Sequence, residues 1–323
     1  MSTRARSAGA STALGLWAAL RALATRASGR RVGAVLLYHR VSTEPGFDGE
    51  LVPRVAAADF DAQLALLCRR YAPVDLADLP RAVRGRRRGR RVPVAITFDD
   101  DLPEHLDVAA PRLRDRGLPA TFFLNGAALG EHPPRWWWDE LQAAAAAGAD
   151  LRRAVPSGHA QPAQASPQRI AEILKRASRA EREAAISRLR PRPGGGAARL
   201  PSALGRDAIA ALARDFAIGF HTARHELLTG LGEAELRAAL RDGREELERV
   251  ANRPLTAIAF PHGGADERIA ATAREAGFAL GVTTQPTCLT DATDPLLVGR
   301  VEPGDVSHGR FAHYVERALR RST

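Results

Sequence analysis

Short, continuously apolar runs recur along the chain and predict buried strands. They cover residues 32–38, 92–98, 120–124, 216–220 and 257–260. Stretches with apolar residues at helical spacing lie between most of these runs. Strands that alternate with helices indicate parallel βαβ units, so the pattern predicts an α/β fold. Periodicity alone does not say whether the sheet closes.

The alternation continues towards the C-terminus. The spacing predicts a long helix over 233–251, a strand over 278–283, a last strand over 297–301 and a terminal helix around 308–321. The middle of the chain, residues 131–214, departs from this pattern, and we interpret it as a helical insertion.

Three consecutive tryptophans open the first predicted helix of this insertion. Trp136, Trp137 and Trp138 could stack on the apolar faces of sugar rings, or they could anchor the insertion to the rest of the domain. Adjacent residues on a helix point in different directions, which favours an anchoring role for at least one of them.

The first 31 residues are basic and apolar by turns. The Ala/Leu-rich part, residues 8–27, is too short and too charged to predict a transmembrane span, and it lacks the features of a good signal peptide. Two interpretations stay open: a helix packed on the domain, and an amphipathic helix lying on a membrane surface. A cytoplasmic location, with peripheral contact at the inner membrane through this segment, is the expectation.

The net charge of +10 suggests a polyanionic partner, but the composition weakens that interpretation. Lys175 is the only lysine, and a chain rich in both arginine and alanine points to codon bias rather than to a polyanionic ligand. No nucleic-acid-binding motif is present, so we expect no nucleic-acid partner. Cys68 and Cys288 give no disulfide framework.

Candidate chemistry lies at the ends of two predicted strands. Asp99, Asp100 and Asp101 end one strand, and His221 and His225 follow another. Each cluster alone has an ordinary explanation, because Asp is common at helix N-termini and a buried histidine is often only hydrogen-bonded. A carboxylate together with two imidazoles is, however, the three-ligand, open-position set of catalytic zinc sites.

Three motifs in order then define a resemblance. They are TFDDD at 97–101, HTARH at 221–225 and FPHG at 260–263. They resemble the leading motifs of the polysaccharide deacetylase superfamily, also called NodB homology or carbohydrate esterase family 4. Tyr38 and His39 resemble an early motif of the branch that deacetylates surface and biofilm polysaccharides. The resemblance implies a distorted (β/α)7 barrel, which we expect to span residues 32–323 around the insertion.

The resemblance also implies roles for six residues. A divalent metal, with zinc as the first expectation, would be bound by three of them. A base, an acid and a backbone N–H directed at the oxyanion would complete the site. The metal ligands are Asp100, His221 and His225, the base is Asp99, the acid is His39, and the N–H belongs to His262.

The expected function is a metal-dependent hydrolase that removes N-acetyl groups from amino sugars of a polysaccharide, oligosaccharide or glycolipid. Hydrolysis of a small cyclic amide and a catalytically silent glycan-binding module are the alternatives. The expected partner is an N-acetylated carbohydrate, the oligomeric state is open, and a cytoplasmic enzyme would act on a nucleotide- or lipid-linked precursor. We expect the insertion to lie over the active-site face.

Two positions depart from the superfamily pattern. Asp101 stands where Gly is usual, and we expect it either to raise the pKa of Asp99 or to support a metal ligand. His262 stands where Tyr is usual, which keeps the backbone role but not necessarily the substrate contacts of the family.

Overall fold

The fold is built from short helices and shorter parallel strands. A computed structural model of the chain describes residues 3–46, 50–126, 129, 136–189 and 203–321, with side chains from residue 13 onward. The helices are α1 (Thr3–Ser28), α2 (Ala57–Arg70), α3 (Leu79–Arg84), α4 (Ala110–Arg114), α5 (Trp137–Ala146), α6 (Pro167–Arg176), α7 (Arg179–Ser187), α8 (Arg206–Asp215), α9 (Glu233–Ala239), α10 (Arg244–Ala251), α11 (Glu267–Glu275) and α12 (His308–Ala318). The strands are β1 (Ala34–Tyr38), β2 (Arg40–Ser42), β3 (Arg54–Ala56), β4 (Ala72–Pro73), β5 (Pro93–Asp99), β6 (Thr121–Leu124), β7 (Ala217–Phe220), β8 (Ala257–Ala259) and β9 (Leu280–Val282).

In the described part of the chain, seven strands form one parallel sheet with the order β1-β5-β6-β7-β8-β9, and β4 pairs with the start of β5. Strands β2 and β3 form a separate pair. Helices cover the outer face of the large sheet, as parallel strands require when both of their faces are buried. The predicted α/β class and the alternation of strands and helices are therefore confirmed.

The sheet curls until its two edges are joined by one irregular segment. Val298 bridges to Val282 of β9, and Val301 bridges to Leu36 of β1. The Leu37 N–H donates to the Val301 carbonyl at 2.9 Å. The fold is thus a distorted (β/α) barrel. The predicted last strand over 297–301 is wrong in detail, because this segment pairs through single bridges on each side.

Alternation along the strands decides which side chains enter the barrel. Val35 and Ala95 pack in a small inner cluster, whereas Leu36 and Ile96 pack outward against the helices. Residues two apart on a strand face the same side. The carboxylate of Asp99, four residues after Ala95, therefore points to the inside of the barrel at its carboxyl end.

The insertion has a hydrophobic core of its own. Leu141 of α5, Ile170 and Leu174 of α6, and Ile186 of α7 are buried together. Helix α8, in contrast, packs into the main core through side chains such as Leu212. The flanks 131–135 and 190–202, which belong to the expected insertion, lie outside the described residues.

The single helix predicted over 233–251 is wrong. The structure has two helices, α9 and α10, and Gly243 between them has a left-handed conformation with a φ of 81°. Only glycine adopts such a conformation at little cost, so the Asp242-Gly243 pair was the local signal for a break.

Helix α1 docks on the barrel through α12. The rings of Trp17 and His313 lie 4.8 Å apart, and Ala18 is completely buried. The opposite side of α1 is exposed. Among the helices that the structure describes, α1 included, none has the length and apolarity needed to cross a membrane.

Candidate active site

Three predicted ligands meet at the carboxyl end of the barrel. Asp100 Oδ1 lies 3.6 Å from His221 Nε2 and 3.5 Å from His225 Nε2. One ligand atom from each residue lies within 4.8 Å of the others, and all three side chains are buried. Two atoms that are each about 2.1 Å from a tetrahedral ion lie about 3.4 Å apart, so the spacing fits a divalent metal.

Hydrogen bonding leaves these ligand atoms available. The Nδ1 of His221 lies 2.8 Å from the carbonyl of Ala259, a contact that turns Nε2 towards Asp100. Asp100 Oδ1 is buried without a hydrogen-bond donor. Burial, followed by the neighbouring imidazoles, holds the pKa of His225 well below its usual value, so that this ring is neutral. A neutral imidazole and an unpaired carboxylate oxygen are suitable metal donors, so the residues fit the metal that the resemblance implies.

Backbone conformation at the site is unusual for residues other than glycine. Asp100, His225 and His262 have φ values of 74°, 49° and 58°. A left-handed conformation costs free energy in residues with a Cβ, and such residues concentrate at functional sites. The strained turns direct the side chains that follow β5 and β7 to a common point.

Asp99, the predicted base, forms a two-pronged ion pair with a buried arginine. Arg300 Nη1 donates to Oδ1 and Nη2 donates to Oδ2, both at 2.6 Å. Burial raises the pKa of Asp99, but the positive charge of Arg300, with help from His221 and His39, lowers it to about 2. The expectation that Asp101 would raise the pKa of Asp99 is therefore wrong.

His39, the predicted acid, follows β1 at the same carboxyl end of the barrel, which we call the rim. Its Nδ1 lies 3.1 Å from Glu302 Oε1. Burial lowers the pKa of His39, but the carboxylates of Glu302, Asp100 and Asp99 more than compensate and raise it above its usual value. His105 lies beneath, with Nε2 3.0 Å from the carbonyl of His39.

His262 completes the rim from β8. Its ring packs edge-on against that of His225 with centroids 4.5 Å apart. Burial lowers the pKa of His262 to about 3, so this imidazole is neutral as well. Gly263 follows in a left-handed conformation, and a Cβ there would lie 2.0 Å from Thr284 Oγ1.

Asp101 faces away from this cluster and supports the histidine turn instead. It accepts the backbone N–H of Asn125 at 2.9 Å. The Asn125 side chain donates to the carbonyls of His221 and Thr222 at 3.2 and 3.0 Å. Burial raises the pKa of Asp101 to about 7. Asp101 thus acts on the site through Asn125 and the backbone that positions His221.

All six predicted residues line one cavity of about 340 Å³. Its wall opposite the barrel comes from the insertion, through Trp137, Trp138, Gln168 and Lys175. Trp138 is 7% exposed, and its ring lies 4.8 Å from that of His225. The indole thus packs against a proposed metal ligand, as expected of an anchor, while its edge lines the cavity.

Sequence reasoning missed three residues of the site. Arg300 lies in a stretch interpreted only as a strand, although a charged residue inside an apolar run was a signal. Glu302 follows two residues later and reaches His39. No local pattern indicated Asn125, because its role depends on the packing of the β6 end against the His221 turn.

Comparison with known proteins agrees with this geometry. The family model for polysaccharide deacetylases matches residues 86–200 and 201–281, which is more than half of the chain. This chain belongs to the polysaccharide deacetylase family. It is accordingly a hydrolase of carbon–nitrogen bonds other than peptide bonds, in a family whose members are metal-dependent. A search of curated protein sequences gave no match.

Solved structures share the fold at low sequence identity. A deacetylase from Streptococcus pyogenes, PplD, in complex with acetate, is 16% identical with a TM-score of 0.57, over 89% of this chain and 98% of that one. A polysaccharide deacetylase from Bacillus cereus is 17% identical with a TM-score of 0.56, over 88% and 69%. IcaB from Ammonifex degensii is 18% identical with a TM-score of 0.54, over 88% and 97%.

Proposed function

We propose that this protein is a metal-dependent N-deacetylase of amino sugars in a glycan or glycolipid. The observation that supports it most strongly is the pairing of two units in one cavity: the Asp100, His221 and His225 cluster, and the Asp99–Arg300 ion pair beside it. The first has the donors of a zinc site, and the second is a buried, ionised carboxylate. A zinc ion bound there would polarise the acetyl carbonyl and acidify a water molecule.

Asp99 would take the proton of the attacking water. Its carboxylate is held ionised by Arg300, and its Oδ2 lies 3.8 Å from His221 Nε2, so the base is next to the cluster. The ion pair fixes both oxygens in position, which saves the entropy of orienting the base in the transition state.

His39 would protonate the leaving nitrogen. An amine anion is a poor leaving group, so cleavage of an amide requires a general acid. His39 lies on the same rim as Asp99, and its contact with Glu302 favours the protonated imidazole that can donate. The two residues approach the cavity from β1 and β5, which are neighbours in the sheet.

The oxyanion and the sugar would be bound by the remaining walls. The backbone N–H of His262, in the strained turn after β8, is the proposed donor to the tetrahedral oxygen. The partly exposed Trp137 offers an aromatic surface for a sugar ring.

Acetate release from N-acetylhexosamine oligomers by the zinc-loaded protein tests the proposal. We expect Asp99→Asn to abolish release while glycan binding persists, and exposed Asp107→Asn to leave both unchanged. A silent glycan-binding module would bind the oligomers without any release. Turnover of a panel of cyclic amides, with none of the oligomers, would instead favour the cyclic-amide alternative.

A further inference from the structure

Helix α1 presents an apolar stripe to solvent on the side opposite to its docked face. Leu16, Leu20 and Leu23 are 64%, 61% and 62% exposed, whereas Ala18 and Thr25 are buried against the barrel. Positions 16, 20 and 23 are four and three residues apart, so they align along one side of the helix. Of the side chains that the structure describes, these are the only large hydrophobic ones with such exposure.

A cluster of arginines lies at the C-terminal end of this stripe. The loop 85–91 packs against the end of α1, where the Gly89 N–H donates to the Arg26 carbonyl at 2.9 Å and Arg26 Nε donates to the Gly89 carbonyl at 2.6 Å. The buried Arg86 joins the two segments by donating to the Thr25 carbonyl. The exposed members of the cluster are Arg26, Arg30, Arg31, Arg84, Arg87, Arg88, Arg90 and Arg91.

Few carboxylates oppose this charge. The sequence has no Asp or Glu before Glu44 and none from residue 79 to residue 98. Arg31 Nη1 lies 3.4 Å from Asp291 Oδ2 at the surface. This is the ion pair that the described residues show for the exposed arginines of the cluster. An excess of positive charge beside an apolar ridge matches the interface of a bilayer that contains anionic lipids.

We propose that α1 and the arginine cluster form a docking surface for anionic membranes, on which the protein lies peripherally. The leucines would enter the boundary between headgroups and acyl chains, and the arginines would contact the phosphates. Because α1 is packed against α12, the barrel would be held in a defined orientation on the bilayer.

The orientation follows from the strands. Arg30 and Arg31 precede β1, and Arg90 and Arg91 precede β5, so the cluster lies at the amino ends of these parallel strands. The candidate active site follows their carboxyl ends, beginning with Asp99. The cavity would therefore open away from the bilayer, towards the aqueous phase.

Vesicle binding by the purified full chain tests the proposal independently of catalysis. We expect the protein to cosediment with vesicles of phosphatidylcholine and phosphatidylglycerol, weakly with phosphatidylcholine alone, and less as salt rises. The triple variant Leu16→Ser/Leu20→Ser/Leu23→Ser should weaken binding by more than about tenfold. Its melting temperature should fall only slightly, because these side chains are mostly exposed and Ser is only a slightly weaker helix former than Leu.

A charge-matched pair of variants tests the arginines. Arg87→Ser/Arg88→Ser/Arg90→Ser should weaken binding about fivefold for each arginine. The control Arg237→Ser/Arg249→Ser/Arg274→Ser lowers the net charge equally on α9, α10 and α11 and should have little effect.

Three results would overturn the proposal as a whole, and a fourth would overturn the part of it that concerns the arginines. The first is no binding to anionic vesicles, and the second is equal binding by the leucine variant. The third is a dimer in sedimentation equilibrium that the leucine substitutions dissociate, since the stripe would then be an interface between two copies of the chain. Equal loss of binding in both arginine variants would overturn the role of the cluster and leave only a net-charge effect.

Discussion

Arg300 and Asp99 are 201 positions apart in the chain, yet their side chains form two parallel hydrogen bonds. Nη1 donates to Oδ1 and Nη2 donates to Oδ2, each at 2.6 Å. The arginine side chain is completely buried and that of Asp99 is 3% exposed. Arg300 Nε also donates to the Thr283 carbonyl at 2.9 Å. The proposed base is therefore oriented by a residue from the segment that closes the barrel.

Removing the arginine leaves a buried charge without its partner. We expect Arg300→Gln to lower the free energy of unfolding of the metal-free protein by about 3–5 kcal/mol, as is typical when one partner of a buried pair is lost. The double variant Arg300→Gln/Asp99→Asn should recover much of that loss. Urea unfolding measures both, and a double variant no more stable than Arg300→Gln would contradict this account.

Zinc should stabilise the folded protein. Ligand at a hundred times its dissociation constant adds about 2.7 kcal/mol to the free energy of unfolding. We expect zinc to raise the melting temperature of the chelator-treated wild type, and Asp100→Asn or His225→Gln to remove this increase. His159→Gln changes an exposed histidine of the insertion and should respond like the wild type. The same zinc-induced increase in all variants would argue against the proposed ligands.

The rate loss caused by replacing His39 should depend on the leaving group of the substrate. We expect His39→Gln to lower kcat on N-acetylated sugars by about 10²–10⁴-fold, the usual contribution of a general acid. An acetyl ester with a phenolate leaving group does not need protonation, so its hydrolysis should fall much less. Asp99→Asn should slow both substrates alike. Parallel losses on the two substrates in His39→Gln would assign His39 to positioning rather than to proton transfer.

A carboxyl under α1 should make stability depend on pH. Glu316 is buried and accepts the Tyr71 hydroxyl at 2.6 Å. Burial raises the pKa of Glu316 above its ordinary value of 4.5, so the folded protein retains this proton at a pH where the unfolded chain has released it. The contribution of Glu316 to stability therefore falls as pH rises from about 4.5 through the raised pKa and is constant above it.

Glu316→Gln removes this dependence and keeps an acceptor for Tyr71. Its stability relative to wild type should increase with pH across that window, by about 1.4 kcal/mol for each unit by which the pKa is raised. Unfolding by urea at a series of pH values measures the difference, with the exposed Glu267→Gln as the control. A pH-independent difference would contradict the raised pKa.

A glycine before the histidine turn has no room for a side chain. A Cβ on Gly219 of β7 would lie 2.4 Å from the ring of Phe123. We expect Gly219→Ala to cost about 1–3 kcal/mol in the free energy of unfolding, as overpacking does. Gly230→Ala, where nothing lies within 4 Å of the added Cβ, should cost far less. Equal costs in thermal unfolding would show that the ring of Phe123 moves freely.

The sequence was most informative where function depends on local order. Asp99 and Asp100 lie at the end of one predicted strand, and His221 and His225 follow another. In the parallel barrel that the resemblance implies, such strand ends lie on one face, so a common site was predictable. Arg300 was missed because its partner is chosen by the curvature of the sheet, which no local pattern encodes. The Asp242-Gly243 pair indicated a helix break. It was overlooked because apolar residues continue at helical spacing on both sides of it.

Residues 298–301 bridge both edges of the sheet, and the same segment supplies the counter-charge of Asp99. A chain that stopped at Gly263 would contain all of the motifs but not this segment. Its sheet would stay open, and the Asp99 carboxylate would lack its positive partner. The order of the sequence therefore places the residue that neutralises the acid after every residue that gathers around it.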